Sequence, residues 1–257
     1  MNIFKNLYNY RELLKTSVKK DIGGKYKHSF LGVLWSFINP LLQIAVYAII
    51  FPLIMRSNIE NYTVFMVCGL IPWQYFSTVL NRSSFVMIEN GNIIKKVYFP
   101  REILPISLVT SEAVNFLITS IIMLVFTLVS GMGITKYVLL YPLILVVQYV
   151  LQLGIAFILS SVTVYFRDLQ HFIGVVLQLF FYATPIVYSV ETIPTQYQWI
   201  LKFNPMTYII EGYRDILYNQ CMPNMKMIGI ILVIGIIVTA IGYLIFSKLQ
   251  KRFAEEL

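Results

Sequence analysis

Few residues in this sequence could do chemistry. The stretch Gly23-Gly24-Lys25-Tyr26 is the nearest approach to a phosphate-binding loop. A P-loop needs G-x-x-x-x-G-K-[ST], and here the upstream glycine spacing and the small hydroxyl are both missing, so ATP is not bound by that route. The two histidines, His28 and His171, are far apart, and no HExxH, CxxC or carboxylate-rich loop accompanies them, which argues against a metal site. Cys68 and Cys221 fall on one side of the topology derived below, so a disulfide is conceivable, though two separate thiols are the simpler reading. Glu89, Glu102, Asp168 and Glu191 are isolated from histidines and from one another in sequence. A membrane-embedded glycosyl- or acyltransferase would therefore lack its nucleophile, base or metal-binding acidic motif. Arg82 and Glu112 are the exceptions, ionisable groups lying on what should be adjacent antiparallel helices. They can pair with each other near a membrane boundary, or Arg82 can meet an anionic lipid headgroup.

The elements that carry these residues are apolar. Of 257 residues, 58% are hydrophobic and 12% charged, and the mean hydropathy is +0.73, which places the chain in a bilayer. A span needs roughly 20 apolar residues, so this length supplies several spans and leaves no room for a separate catalytic domain. The first thirty residues are basic with no apolar run, so no cleavable signal peptide is expected and the mature chain should begin at Met1.

Six spans are expected, at about 31–55, 62–88, 101–130, 138–164, 170–189 and 227–247, in a single all-α transmembrane domain covering 1–257. Six crossings put both termini on one side. That side carries fourteen basic residues, including Lys5, Arg11, Lys95, Lys96, Arg167 and Lys248, against five on the other, so both termini are expected to be cytoplasmic. The net charge of +8 needs no nucleic-acid partner, because a collar of lysines facing anionic membrane lipids accounts for it. Residues 1–28 are expected to form a cytoplasmic interfacial amphipathic helix and linker.

The long outer link, 191–226, has its own pattern. Met206, Ile209, Ile210, Tyr213, Ile216 and Leu217 recur at helical spacing, with Glu211, Arg214 and Asp215 on the other face. Before them an apolar stretch, 197–203, is bounded by Pro194 and Asn204-Pro205. This suggests a helical hairpin that dips into the outer face without crossing, or an interfacial helix on the headgroups. Acidic midplane sites and related halves, expected of proton- or sodium-driven transporters, are not found.

Between spans two and three lies a basic, aromatic island, 92–101. Asn92 and Ile94 lead into Lys95 and Lys96, which give steering and rim contacts. Tyr98 and Phe99 give anchors expected to be exposed, and Pro100 and Arg101 set the chain's return to the membrane. Arg167 and Asp168, in the second inner link, could add a smaller contact. Tyr and Phe number 18 each and Trp 3, more than two interfacial belts require. Flat rings with polar tips suit sugar faces. Trp35, Phe37 and Tyr47 in span one, Trp73, Tyr75 and Phe76 in span two, and Phe181, Tyr182 and Tyr188 in span five are the candidates for a passage lining. Lys25, Lys27 and Arg82 lie where a charged headgroup would approach, although the lysines can equally be interfacial anchors.

Six strings carry a resemblance: DIGGKYKHSFLGVLWSFINPLL (21–42), GLIPWQYFS (69–77), NIIKKVYFPREILPIS (92–107), VYFRDLQHF (164–172), TPIVYSVETIP (184–194) and FNPM (203–206). In order and nearly end to end, the chain resembles the membrane subunits of bacterial ABC transporters that export O-antigen, teichoic acid and capsular polysaccharide. It departs from that family's opening pattern at Gly24-Lys25, where a charged residue usually precedes the basic one. The resemblance implies a homodimeric permease in the bacterial inner (plasma) membrane, working with two copies of a separate ATPase. ATP and Mg2+ would sit on that partner, and this chain would bind no cofactor and be no enzyme by itself. The substrate implied is a lipid-linked polysaccharide, and 92–101 would dock the ATPase. An exporter permease for a lipid or drug is the alternative within transport.

Overall fold

The computed structural model describes residues 3–24, 30–55 and 59–257. Lys25, Lys27, His28 and Arg56 lie outside the described residues. The described residues form helices and turns, with no strand among them. In chain order the helices are α1 (Ile3–Asn9), α2 (Arg11–Gly24), α3 (Trp35–Met55), α4 (Tyr62–Ser83), α5 (Val86–Glu89), α6 (Gly91–Lys96), α7 (Ile103–Val129), α8 (Tyr141–Tyr165), α9 (Leu169–Tyr182), α10 (Gln198–Phe203), α11 (Pro205–Leu217), α12 (Met225–Leu249) and α13 (Phe253–Glu256).

Five of these, α3, α4, α7, α8 and α12, are long and apolar enough to cross a membrane. The fifth sequence run is shorter as a helix than as a stretch of apolar residues. At 1.5 Å per residue the 14 residues of α9 reach about 21 Å, less than a hydrocarbon core of about 30 Å. The reason is local: Pro185 disfavours helical backbone at Thr184, and the apolar run continues as buried non-helical chain through Thr184, Pro185, Ile186 and Val187. The second run also ends early, at Ser83, after which α5 and α6 turn away.

The central post is α4, whose residues are mostly buried, whereas α3 and α12 expose Leu42, Leu53, Val233 and Leu244 as a lipid-facing surface would. The closest crossing is α8 against α12. A Cβ on Gly154 would lie 2.5 Å from the Thr239 nitrogen, and one on Gly242 would lie 2.4 Å from the Gly154 carbonyl oxygen. Backbones can approach this closely only where side chains are absent.

At the end of the bundle that holds both termini, α1 and α2 are amphipathic pieces broken at Tyr10, and α2 lies against α7. Leu7, Tyr10 and Leu14 pack on the core, and the Asn6 amide donates to Glu102 Oε1 at 2.8 Å. At the opposite end α11 buries the apolar stripe read from the sequence, with Met206, Ile209, Ile210, Tyr213, Ile216 and Leu217 all inside.

Candidate coupling surface and substrate passage

The island between α4 and α7 is a short helix followed by extended chain. After α6, Val97 takes extended backbone (φ −128°, ψ 132°). Successive side chains in extended chain point to opposite faces. Tyr98 accordingly stands 91% exposed while Phe99 is 8% exposed and packed into the core. The sequence reading of Phe99 as an exposed anchor is thus corrected: the ring fixes the island from within. Ile94 is likewise buried, on the inner face of α6. The outward face consists of Asn92, Ile93, Lys95, Lys96, Val97 and Tyr98, a basic and apolar platform. Pro100 begins the turn into α7, its carbonyl accepting from the Ile103 amide at 3.2 Å.

Beneath the island sits the C-terminal tail, which the sequence reading had not assigned to it. The Arg101 guanidinium donates to the Gln250 carbonyl and lies 5.9 Å from the Phe253 ring. Leu257 packs 3.6 Å from where a Gly91 Cβ would be. Phe253 is fully buried between Phe246 and Tyr165. Arg167, exposed beside Asp168 at the start of α9, reaches the Glu256 carbonyl at 3.4 Å. Gln170 donates to the Ser84 carbonyl at 3.1 Å, joining the second link to the end of α4. The spacing of Phe253 and Leu257, four residues apart in a charged tail, was the available signal.

Arg82 enters this end already paired. Its guanidinium lies 2.5 Å from Glu112 and 3.9 Å from Asp21, and Ser111 Oγ is 3.5 Å from the Asp21 carboxylate. The ion pair, one of two readings open in the sequence, is therefore present, and Asp21 extends it to the surface helix. Burial raises the Asp21 carboxyl above its usual range, and Arg82 opposes that rise.

The candidate lining aromatics fall into two groups. Trp73 lies 5.5 Å from Phe76 and 5.8 Å from Phe181, which lies 6.1 Å from Tyr47. This group joins α3, α4 and α9, and its members from α4 are nearly buried. Tyr75 points elsewhere and stacks on Phe116 at 5.0 Å, next to Tyr141 and Tyr213. Tyr182 is exposed and edge-on to Phe181, and the Tyr188 hydroxyl donates to the Tyr182 carbonyl at 2.7 Å. Trp35 and Phe37 are half-buried at the start of α3.

At the far end Arg214 was expected on the polar face of its helix, and the structure buries it. Its guanidinium donates to three backbone carbonyls, those of Phe65 at 3.2 Å and of Pro185 and Ile186 at 2.6 Å each, and lies 3.6 Å from the Phe65 ring centroid. Burial lowers its pKa to about 10, so it remains a cation at neutral pH. Pro185 ends α9 and leaves carbonyls unpaired, and Arg214 is what satisfies them. Asn204 completes the assembly by capping α11 through the Met206 amide and donating to Ala183 and Thr184. Cys68 is buried and Cys221 exposed, both as free thiols.

A family model described as ABC-2 type transporter matches residues 12–218. The chain belongs to the ABC-2 type transporter family. The chain is similar to an O-antigen export system permease protein, RfbA, of Klebsiella pneumoniae, 42% identical over 97% of this chain and 96% of the relative. RfbA of Myxococcus xanthus is 33% identical over the full length of both. The polysialic acid transport protein KpsM of Escherichia coli is 26% identical over 75% of this chain and 74% of its own. As an ABC-2 chain with five long apolar helices, it is a multi-pass membrane protein.

Proposed function

We propose that the chain is the permease subunit of an ATP-driven exporter of lipid-linked polysaccharide in the bacterial inner membrane. The observation that carries this is the outward platform of Lys95, Lys96, Val97 and Tyr98, joined to α4 through the turns around the short helix α5 and to α7 through the non-helical residues 97–102. Similarity to O-antigen export permeases along nearly the whole chain supplies the class of cargo. A separate ATPase docks on the platform, and its motion enters through the short links into α4, the central post, and α7. ATP and Mg2+ belong to that subunit.

In this reading α9 and the non-helical residues that follow it complete a sixth crossing, with both termini cytoplasmic. The helices α10 and α11 form a hairpin that re-enters the outer face. Two copies of the chain frame the passage, using the exposed apolar side chains Phe172, Val175 and Leu179 of α9 and the outward side of α3. The Trp73, Phe76 and Phe181 rings lie close to that seam. Lys25 and Lys27, outside the described residues, serve in this reading either the charged lipid headgroup or as interfacial anchors.

Deleting the gene tests the function. Surface polysaccharide should disappear while lipid-linked polymer accumulates inside the cell, and the intact chain should restore export. Unchanged surface polysaccharide in the deletion contradicts the proposal.

A further inference from the structure

A cavity of about 320 Å³ opens between α3, α4 and α7. Its wall is unusual for a membrane body. Four carboxamides, Asn39, Gln43, Gln74 and Asn115, line it together with Trp35 and Tyr75. Tyr75 lies eight residues from the end of α4 at Ser83, about 12 Å along the helix, so the cavity reaches well into the bilayer. Polar groups at such depth are costly and call for a functional explanation.

Part of the wall is internally satisfied. Gln74 donates to Gln43 at 2.6 Å, Gln43 reaches the Tyr47 hydroxyl at 3.3 Å, and Ser36 donates to Asn115 at 3.1 Å. Two groups are not. The Tyr75 hydroxyl is buried with no hydrogen-bond partner, on a residue only 4% exposed. Asn39 is exposed to the cavity and makes no hydrogen bond among the described residues. The one ionisable carboxylate on the wall, Glu112, is held by Arg82.

We propose that this cavity binds one uncharged sugar ring of the exported chain, an inference that rests on the export function above. Carboxamides both donate and accept, so a fixed set of them matches the alternating donor and acceptor character of ring hydroxyls. The Trp35 indole offers a face for the apolar side of the ring. Among the described residues the lining offers no free cation for a phosphate or an acidic sugar, and its polar groups have no counterpart on an acyl tail. The Tyr75 hydroxyl supplies the innermost hydrogen bond, its ring held in place by the stack on Phe116.

The test uses the full chain in lipid nanodiscs, with Trp73→Phe and Trp199→Phe so that Trp35 is the remaining fluorophore. Maltohexaose is the uncharged probe and hexagalacturonate the anionic one. Maltohexaose should give a saturable change in Trp35 emission that hexagalacturonate does not give. Asn39→Leu and Tyr75→Phe each remove one ligand bond, and among the described residues no protein hydrogen bond depends on either group. Each should weaken binding by roughly three- to ten-fold, with an unchanged unfolding midpoint. No saturable change, or an affinity in both variants unchanged from that of the protein without them, means that the cavity holds only water and overturns the proposal. Equal binding of hexagalacturonate overturns the preference for an uncharged ring. Surface polysaccharide measured in cells separates the two ideas: export without binding refutes this site alone, and binding without export refutes the export function while the sugar site stands.

Discussion

Replacing Arg214 with Leu should destabilise the outer assembly by about 3 kcal/mol. The three carbonyls it serves, on Phe65, Pro185 and Ile186, come from two separate segments, and among the described residues no other side chain donates to them. Each hydrogen bond from a buried cation is worth about 1.5–3 kcal/mol. The cost of burying the guanidinium, several kcal/mol, is removed with it and offsets much of that sum. The net is about 3 kcal/mol, which for a chain of this size lowers the thermal midpoint by roughly 6–12 °C. Thermal unfolding of the purified chain in detergent reads this directly. Gly69→Ala gives an internal check, since its Cβ would lie 2.9 Å from Arg214 Nη2 and 3.0 Å from the Ile186 carbonyl oxygen. Leu at 214 removes the first of those clashes, so the double variant should lose less than the sum of the singles. A midpoint for Arg214→Leu within 2 °C of wild type would refute the clamp.

Gly154→Ala and Gly242→Ala should each cost about 1–3 kcal/mol by forcing α8 and α12 apart, read as lower midpoints; Gly174→Ala, where nothing lies within 4 Å, should not. Phe253→Ala opens a cavity beneath the island and should lower the midpoint by an amount matching about 3–5 kcal/mol while weakening ATPase co-purification. Burial holds the Asp21 carboxyl above its unfolded value, so the folded state binds more protons between those two values. Stability should therefore fall as pH rises through that window, and Asp21→Asn should flatten the fall in a pH series of unfolding midpoints.

Much of this architecture is legible in the sequence because bilayer length and helical period are strong signals. The five long helices, the basic island and the apolar stripe of α11 all follow from them. Apolar length misleads at α9, where the run stays apolar after Pro185 has ended the helix. The exposure of Phe99 is misjudged for a related reason: composition shows that a Tyr and a Phe are adjacent, but only the extended backbone after Val97 decides which one faces out. Arg214 is read as polar surface because its helical face is polar at Glu211 and Asp215, and the carbonyls that draw it inward lie in distant sequence. The carboxamide cavity is missed because Asn39, Gln43, Gln74 and Asn115 come from three helices and form no local motif.

The most direct test of the central claim is ATP hydrolysis in lipid vesicles by the ATPase that co-purifies with this chain. Wild type is compared with Tyr98→Ala and with the Lys95→Ala/Lys96→Ala pair, all outward-facing. The account predicts that the complex forms with wild type and that both variants lose assembly or coupled hydrolysis while their unfolding midpoints stay unchanged. Full coupled activity in both variants, or no ATPase bound to the wild-type chain, would contradict it.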